Sequence, residues 1–484
     1  MASQSLKDKT VKGVGWTALD SVANYGISFI VGLVLARLLS PDEYGLIGII
    51  TIFIVIFNTI VDSGFSTALI RKPKVTDDDY STVFIINLGI SILLAILLFC
   101  SAGTIASYFE REELVSLTQA MSSILVINAL GIVQKAKLTK QLDFKSQTKI
   151  SIIASTVSGV LGIAAAIFGL GVWALVIQQI SRQVLNTVFL WLFSRWVPRL
   201  IVSINSFKEL FGFSWKLLVA QIINTTWTKL YQFIIGKFYS PAVLGQYTRA
   251  EQFATIFSSN ITTIVQRVSL PVMSEIQDET QRMVSAYRRI IKSTMLLTLV
   301  LMFGLAAVAK PMVYVLIGEQ WLPCVPFLQI LCLIFAFYPL HALNLNMLQV
   351  QGRSDILLIL QIVKNLVALI PLALGIWVGI YWMLGGSVVC GFFDYFVNSY
   401  YSGKKLGYSS WRQLKDIGPS FFLALGMAIP VWALTLIPIS NYILLPVQIL
   451  LGAAIVLIIC ERFKLTEYLD LKNTLSTYVS NIKR

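Results

Sequence analysis

Apolar blocks alternate with short polar connections along the whole chain, and this alternation sets the expected architecture. A helix needs roughly 20 apolar residues to cross a bilayer. Blocks of that kind run over 14–39, 44–70, 79–109, 114–134, 148–169, 172–195 and 208–237. They continue over 242–270, 290–309, 323–350, 356–379, 381–402, 417–437 and 441–460. The predicted fold is an all-α polytopic membrane protein with about fourteen transmembrane helices. Breaks at Gly169-Leu170-Gly171 and Gly379-Ile380-Tyr381 require very tight turns, while Pro41, Pro241, Pro311 and Pro323 stand at others, where a missing N–H costs little. The first block is too long for a signal-peptide core and lacks a cleavage pattern, so it reads as an uncleaved span.

Composition narrows the picture. Of 484 residues, 56% are hydrophobic and 13% charged, with mean hydropathy +0.77. Ordinary soluble domains carry about 25% charged residues. No connection reaches the roughly 50 residues of a separate soluble domain, so a catalytic head on a membrane anchor is excluded. The net charge of +14 lies in short loops rather than in a basic helix or zinc-finger spacing, and no nucleic-acid partner is expected. The five cysteines form no CxxC pair and His341 is the single histidine, so neither a metal site nor a cofactor site is expected.

The loop cations orient the chain. If the N-terminus is cytoplasmic, the inside segments hold 29 Lys and Arg, and the outside segments hold Arg37, Arg111, Lys237 and Lys310. That bias places both termini inside and requires an even number of spans. The tail after Cys460 keeps Leu465, Tyr468, Leu469, Leu475, Val479 and Ile482 near helical spacing, as in an amphipathic helix lying on the cytoplasmic leaflet rather than one that docks a partner.

The chain also repeats itself at an offset near 200. Gly13-Val-Gly-Trp16 returns as Gly212-Phe-Ser-Trp215, and Arg37-Leu-Leu-Ser-Pro-Asp-Glu-Tyr-Gly45 as Lys237-Phe-Tyr-Ser-Pro-Ala-Val-Leu-Gly245. Six spans precede the second copy, so the halves share one orientation, an arrangement that transporters use with the substrate site between the halves. The expected organisation is an N-terminal lobe over 1–207, a C-terminal lobe over 208–402, and two further helices with the tail over 403–484. These are two pseudo-symmetric six-helix bundles plus two C-terminal helices, a geometry suited to alternating access.

Polar stripes mark where a cavity is expected. The first span carries Thr17, Asp20, Ser21, Asn24, Tyr25 and Ser28 on one helical face. The seventh carries Gln221, Asn224, Thr225, Thr228, Lys229 and Gln232 at the same spacing, and the eighth adds Thr248, Gln252, Thr255, Ser259, Thr262, Gln266 and Ser269. The second adds Thr51, Asn58, Asp62 and Ser66. Polar groups left facing lipid cost several kcal/mol each. The stripes therefore face water in a cavity or serve as interhelical glue. Lys229 and Arg182 sit near mid-span, Lys216 and Arg249 toward opposite ends of theirs, and together they are candidate cations for an anionic substrate group. Asp20, Asp62 and Asp394 are candidate coupling or gating acids; the structural alternative is buried pairs such as Asp20–Lys216 or Lys364–Asp394.

Other signals carry less. Asp77-Asp78-Asp79 looks like a metal–nucleotide DxD, but no nucleotide fold surrounds it and a solvated loop is expected. Asn224-Thr-Thr226 and Asn260-Ile-Thr262 match glycosylation sequons inside spans, and His341 beside Pro339 reads as a structural histidine. There is no P-loop, and no outside connection long enough for a catalytic loop.

Several motifs taken in order resemble the Wzx-type oligosaccharide flippases of the multidrug/oligosaccharidyl-lipid/polysaccharide exporter superfamily. They are Arg37 to Gly45, Asp62-Ser-Gly-Phe65, Lys137-Leu-Thr-Lys-Gln-Leu-Asp-Phe-Lys145, Gly245-Gln-Tyr-Thr-Arg-Ala250, and Pro271 with Glu275-Ile-Gln-Asp278. The resemblance covers essentially the whole chain. It implies a flippase, not an enzyme, that moves a polyprenyl-pyrophosphate-linked oligosaccharide from the inner to the outer leaflet of the bacterial cytoplasmic membrane. H+ or Na+ is the candidate coupling ion, with the membrane potential as the alternative driving force, and a polysaccharide polymerase and chain-length proteins are candidate partners. Of the candidate cations, Arg249 falls within a family motif. A MATE-like drug or cation exporter, a lipid II flippase, and a membrane glycosyltransferase or polymerase stand as alternatives; a drug pump is disfavoured by the central cations and a polymerase by the missing catalytic loop.

Overall fold

In a computed structural model the chain folds into two compact units, Met1–Gly245 and Gln246–Arg484. Residues 2–62, 64–404, 406–465, 467–469 and 472 are described. Among them, all regular structure is helical, as the apolar blocks predict.

The first unit contains α1 (Ala2–Leu38), α2 (Pro41–Asp62), α3 (Phe65–Arg71), α4 (Asp77–Cys100) and α5 (Ala102–Phe109). It continues with α6 (Leu114–Lys140), α7 (Phe144–Ile167), α8 (Trp173–Ser194), α9 (Ile204–Phe238) and the start of α10 (Pro241–Glu275). The second unit holds the rest of α10, then α11 (Thr280–Ala307), α12 (Ala309–Ile317), α13 (Cys324–Ala336) and α14 (Tyr338–Val350). It closes with α15 (Ser354–Val367), α16 (Leu369–Trp377), α17 (Ile380–Lys404), α18 (Ser410–Ala433) and α19 (Asn441–Arg462).

Several predicted spans are broken rods. The 323–350 block splits at Phe337, just ahead of Pro339 in the first turn of α14. The 356–379 block splits at Ala368, where Pro371 cannot donate to the carbonyl of Val367 four residues back. At the tight turn after α7, Gly169 and Gly171 take φ of +76° and +55°, a region open to glycine. Asp77-Asp78-Asp79 is not a solvated loop. The three residues form the first turn of α4, where acids complement the helix dipole, and Asp79 is buried in a capping box with Thr76.

Eleven of the described segments are long and apolar enough to cross a membrane. The predicted spans that fall outside this set are 172–195, 208–237 and 242–270, which fold as α8, α9 and α10. Those three carry the mid-span cations and the longest polar stripes, so their hydropathy is low because of the side chains singled out as functional.

The repeated Ser-Pro motif is built the same way twice. Ser40 accepts from Glu43 N at 3.4 Å, and the Glu43 carboxylate returns to Ser40 N at 2.6 Å, capping α2 with Pro41 at its first position. Ser240 accepts from Val243 N at 3.3 Å at the start of α10. The two helix starts then cross at their glycines. A Cβ on Gly45 would stand 1.7 Å from the Pro241 carbonyl oxygen, and one on Gly245 would stand 2.0 Å from that of Pro41. This reciprocal contact draws α9 and the start of α10 onto α2, with Gly236 against Ile49 and Leu244. The first compact unit ends at Gly245, within this crossing.

The described part of the tail packs on its own unit. Leu465 and Tyr468 join Leu296, Leu423 and Cys460, and buried Glu467 pairs with Lys292 on α11. Leu475, Val479 and Ile482 lie outside the described residues.

Candidate functional site

α9 presents its polar stripe to the open. Gln221, Asn224 and Thr228 are exposed and Thr225 is half-buried. Thr225 meets Thr59 of α2 at 3.3 Å, and Thr228 donates to the Thr225 carbonyl at 2.9 Å. The amides of Gln221 and Asn224 have no hydrogen-bond partner among the described residues, so in hydrocarbon each would cost several kcal/mol. Lys229, half-buried, donates to Gln232 Oε1 at 3.1 Å and meets no carboxylate among the described residues. Its charge is therefore left for something else.

Lys216 does not share that face. Thirteen residues separate it from Lys229, about 20 Å along the axis and about three and a half turns. Its ammonium lies 6.0 Å from the Trp215 ring, on the side of α9 opposite the stripe. One phosphate group cannot touch both lysines.

On α1, Ser21 is exposed and donates back to the Thr17 carbonyl at 3.0 Å, and Ser28 is half-buried. Asp20 and Asn24 serve the contact with α7. Asn24 donates to Asp20 Oδ1 at 2.8 Å and to Ser151 Oγ at 2.9 Å, accepts from Ser155 at 2.6 Å, and Ser151 donates to Asp20. This is interhelical glue. Arg182 on α8 is exposed, and the carboxylate bearing on it is Asp20. The hydrogen bonds of the Asp20 carboxylate go to Asn24 and Ser151, and no ion pair joins it to Lys216 or Arg182 among the described residues. Asp62 accepts from Ser66 at 2.5 Å and closes the α2–α3 bend. Asp394 on α17 forms no ion pair with Lys364 of α15 among the described residues, and its Oδ1 is buried without a hydrogen-bond partner.

In the second unit Arg249 is buried, donating to Gln252 Oε1 at 2.6 Å with its guanidinium 5.7 Å from the Trp321 ring. Gln252 is exposed. Beyond it α10 divides. Ser258 and Ser269 are buried, bonded to Phe335 O at 2.7 Å and Asn346 Nδ2 at 2.9 Å. Ser259 and Thr263 are exposed but return their hydroxyl protons to the helix carbonyls at 2.7 and 2.8 Å. Such back-bonded hydroxyls tolerate lipid or water, whereas exposed Gln266 and Arg267 require water.

An amide chain that the stripes did not reveal crosses the first unit. Asn128 of α6 donates to Asn58 of α2 at 2.9 Å and accepts from Gln183 of α8 at 2.9 Å. A lone Asn in the apolar 114–134 block was its sequence signal. His341 lies 3.5 Å from Asn398, a structural contact.

Residues 34–326 match the family described as polysaccharide biosynthesis protein. The chain belongs to that family. Its relatives include the teichuronic acid biosynthesis protein TuaB of Bacillus subtilis (strain 168), 29% identical over 73% of each chain. The succinoglycan biosynthesis transport protein ExoT of Rhizobium meliloti (strain 1021) is 27% identical over 67% of this chain and 66% of its own. The lipopolysaccharide biosynthesis protein WzxC of Escherichia coli (strain K12) is 24% identical over 73% and 72%. Among solved structures, the lipid II flippase MurJ in an inward closed conformation superposes with TM-score 0.75 at 16% identity, covering 94% of this chain and 99% of that one. An inward-facing multidrug resistance MATE family transporter of the MOP superfamily gives 0.60 at 16% identity, covering 79% and 94%. This member of the polysaccharide biosynthesis protein family is thus a multi-pass membrane protein with a MurJ- and MATE-like fold.

Proposed function

We propose that the protein flips a polyprenyl-pyrophosphate-linked oligosaccharide from the cytoplasmic to the outer leaflet of the bacterial inner membrane, with both termini cytoplasmic. The observation that carries this reading is the open face of α9: two unpartnered amides and a lysine without a carboxylate, on a helix too polar to count among the apolar spans. Such a face fits a sugar and phosphate headgroup. Each unpaired hydroxyl costs roughly 2–7 kcal/mol to desolvate, so a headgroup crosses only where amides and hydroxyls replace water.

In this reading Lys229 holds the pyrophosphate by charge-assisted hydrogen bonds, Gln221, Asn224 and Thr228 bond the sugars, and the lipid tail stays in the bilayer. Arg182 in the first unit and Arg249 in the second are each assigned to anionic groups of the substrate, and Lys216, on the far side of α9, takes no part. Two pseudo-equivalent lobes alternate in access. Asp20, Asp62 and Asp394 are the acids available for coupling to H+ or Na+, with the membrane potential as the alternative driving force. The sequence bias of loop cations supports the orientation, and the family match supports the substrate class.

The test is leaflet translocation in reconstituted vesicles with a defined polyprenyl-pyrophosphate glycan. Wild-type protein is expected to move it, and Lys229→Ala to lose most of the activity while remaining folded. Wild-type protein that moves a cationic drug but no lipid-linked glycan would reject the reading in favour of a drug exporter.

A further inference from the structure

A second site lies away from the polar stripes, where α17 ends and α18 begins. A cleft of about 810 Å³ opens there, lined by Phe396, Tyr400, Tyr401 and Trp411, with Lys404 and Arg412 among its walls. The aromatics are presented, not packed away: Trp411 is 73% exposed and Tyr400 55%. Phe396 and Trp411 stand with ring centroids 5.8 Å apart, which fixes one wall. That wall is held from behind. Tyr395 donates to the Ser410 carbonyl at 2.8 Å, and Ser399 to Ser410 Oγ at 2.8 Å.

The two cations are not neutralised. Lys404 lies 5.9 Å from the Tyr400 ring, and Arg412 donates to the Gly407 carbonyl at 2.9 Å. Neither meets a carboxylate among the described residues, and the lining contains none. Lys415 follows one turn along α18, also exposed. Both helices are apolar enough to span, so their junction lies at a membrane–water boundary, where tyrosine and tryptophan gather.

An aromatic cleft at that depth with a net positive rim is complementary to an amphiphile that has an apolar tail and a single anionic head. It offers few of the hydroxyls and amides an oligosaccharide needs. We propose that this α17–α18 cleft binds an anionic phospholipid of the surrounding bilayer, its phosphate between Lys404 and Arg412 and an acyl chain along Tyr400, Phe396 and Trp411. Basic pockets between membrane helices bind acidic lipid headgroups by the same balance of forces. The site is independent of the transported substrate.

The experiment uses the full chain in vesicles containing brominated phosphatidylglycerol or brominated phosphatidylcholine, which quench nearby tryptophan. The contribution of Trp411 is isolated by difference from Trp411→Phe. Brominated phosphatidylglycerol is expected to quench Trp411 at a much lower mole fraction than phosphatidylcholine. That preference should fall about fivefold in Lys404→Gln and about thirtyfold in Lys404→Gln/Arg412→Gln, following the usual contribution of each basic residue. Lys404→Gln removes no hydrogen bond seen in the structure, and elution as a single species checks that each variant is folded. Equal quenching by both lipids, or a preference that survives the double substitution in folded protein, overturns the proposal. So does displacement of the brominated lipid by farnesyl pyrophosphate but not by phosphatidylglycerol, which would make the cleft a substrate entry site.

Discussion

The crossing of α2 and α10 makes a quantitative prediction. In Gly45→Ala the new Cβ would fall 1.7 Å from the Pro241 carbonyl oxygen, 2.3 Å from its carbonyl carbon and 2.8 Å from its Cα. Ordinary carbon–oxygen contacts lie at about 3.3 Å or more, so the overlap is roughly 1.5 Å. The obstructing atoms are backbone and cannot rotate away; the helix starts must separate. Overpacking of this kind costs about 1–3 kcal/mol, and separation also weakens the contacts of Gly48 with Leu244 and of Gly236 with Ile49. Gly245→Ala strikes the same crossing, 2.0 Å from Pro41 O and 3.2 Å from Gly45 N. Opening the crossing for one methyl makes room for the other, so the double variant should be destabilised by clearly less than the sum of the two. Gly89→Ala serves as control, because nothing lies within 4 Å of its Cβ and alanine favours the helix by up to about 1 kcal/mol. The assay is unfolding of the purified proteins in detergent. Additive losses at Gly45 and Gly245, or no loss at either, would refute the reciprocal crossing.

Other expectations follow from single contacts. Lys229→Ala should lower translocation about tenfold to a hundredfold, the value of a charged hydrogen bond, with Lys229→Arg retaining most of the rate; equal rates in all three proteins would remove Lys229 from the path. Asp416→Asn breaks a paired contact with Arg288 at 2.5 Å on each side and a bond from Tyr408 at 2.8 Å. It should cost about 1.5–3 kcal/mol in an unfolding assay. Asn128→Ala strands Gln183 and Asn58 and should destabilise by about 1–3 kcal/mol, whereas Asn365→Ala, at an exposed i,i+4 pair, should change little. Burial pulls the Lys72 ammonium down, but hydrogen bonds to Glu209 and Asp79 outweigh it and hold its pKa above the ordinary 10.5. A raised lysine contributes fully below 10.5 and loses that contribution above it. The stability gap between wild type and Lys72→Gln should therefore be constant near neutrality and close above pH 10.5.

Much of the fold is legible because membrane helices must hide their backbone within themselves. Block length alone then locates most rods, and the Ser-Pro-x-x-x-Gly repeat marks two equivalent helix starts. The internal breaks at Phe337 and Ala368 were less legible. Pro339 and Pro371 sit inside blocks that hydropathy reads as continuous, and a proline can be tolerated in a helix, as Pro271 is in α10. The polar stripes did not separate residues that bond between helices from residues left open. Asn24 and Asn224 occupy equivalent positions in the repeat, yet Ser151 and Ser155 on α7 consume the first and leave the second open. Partners of that kind are more than a hundred residues away, and spacing along one helix cannot reveal them. Lys216 is a different case: its face was already implied by helical periodicity, which sets it opposite Lys229.

The central claim is that the stripe on α9 faces water inside the membrane, and cysteine accessibility tests it most directly. With the five native cysteines replaced, Gln221→Cys and Asn224→Cys are introduced singly, alongside Leu93→Cys on the apolar, exposed face of α4. A charged, membrane-impermeant thiol reagent should modify positions 221 and 224 rapidly and spare position 93. Protection of 221 and 224 to the same degree as 93, in protein that still elutes as one species, would place the α9 stripe against lipid or dry packing and contradict the account.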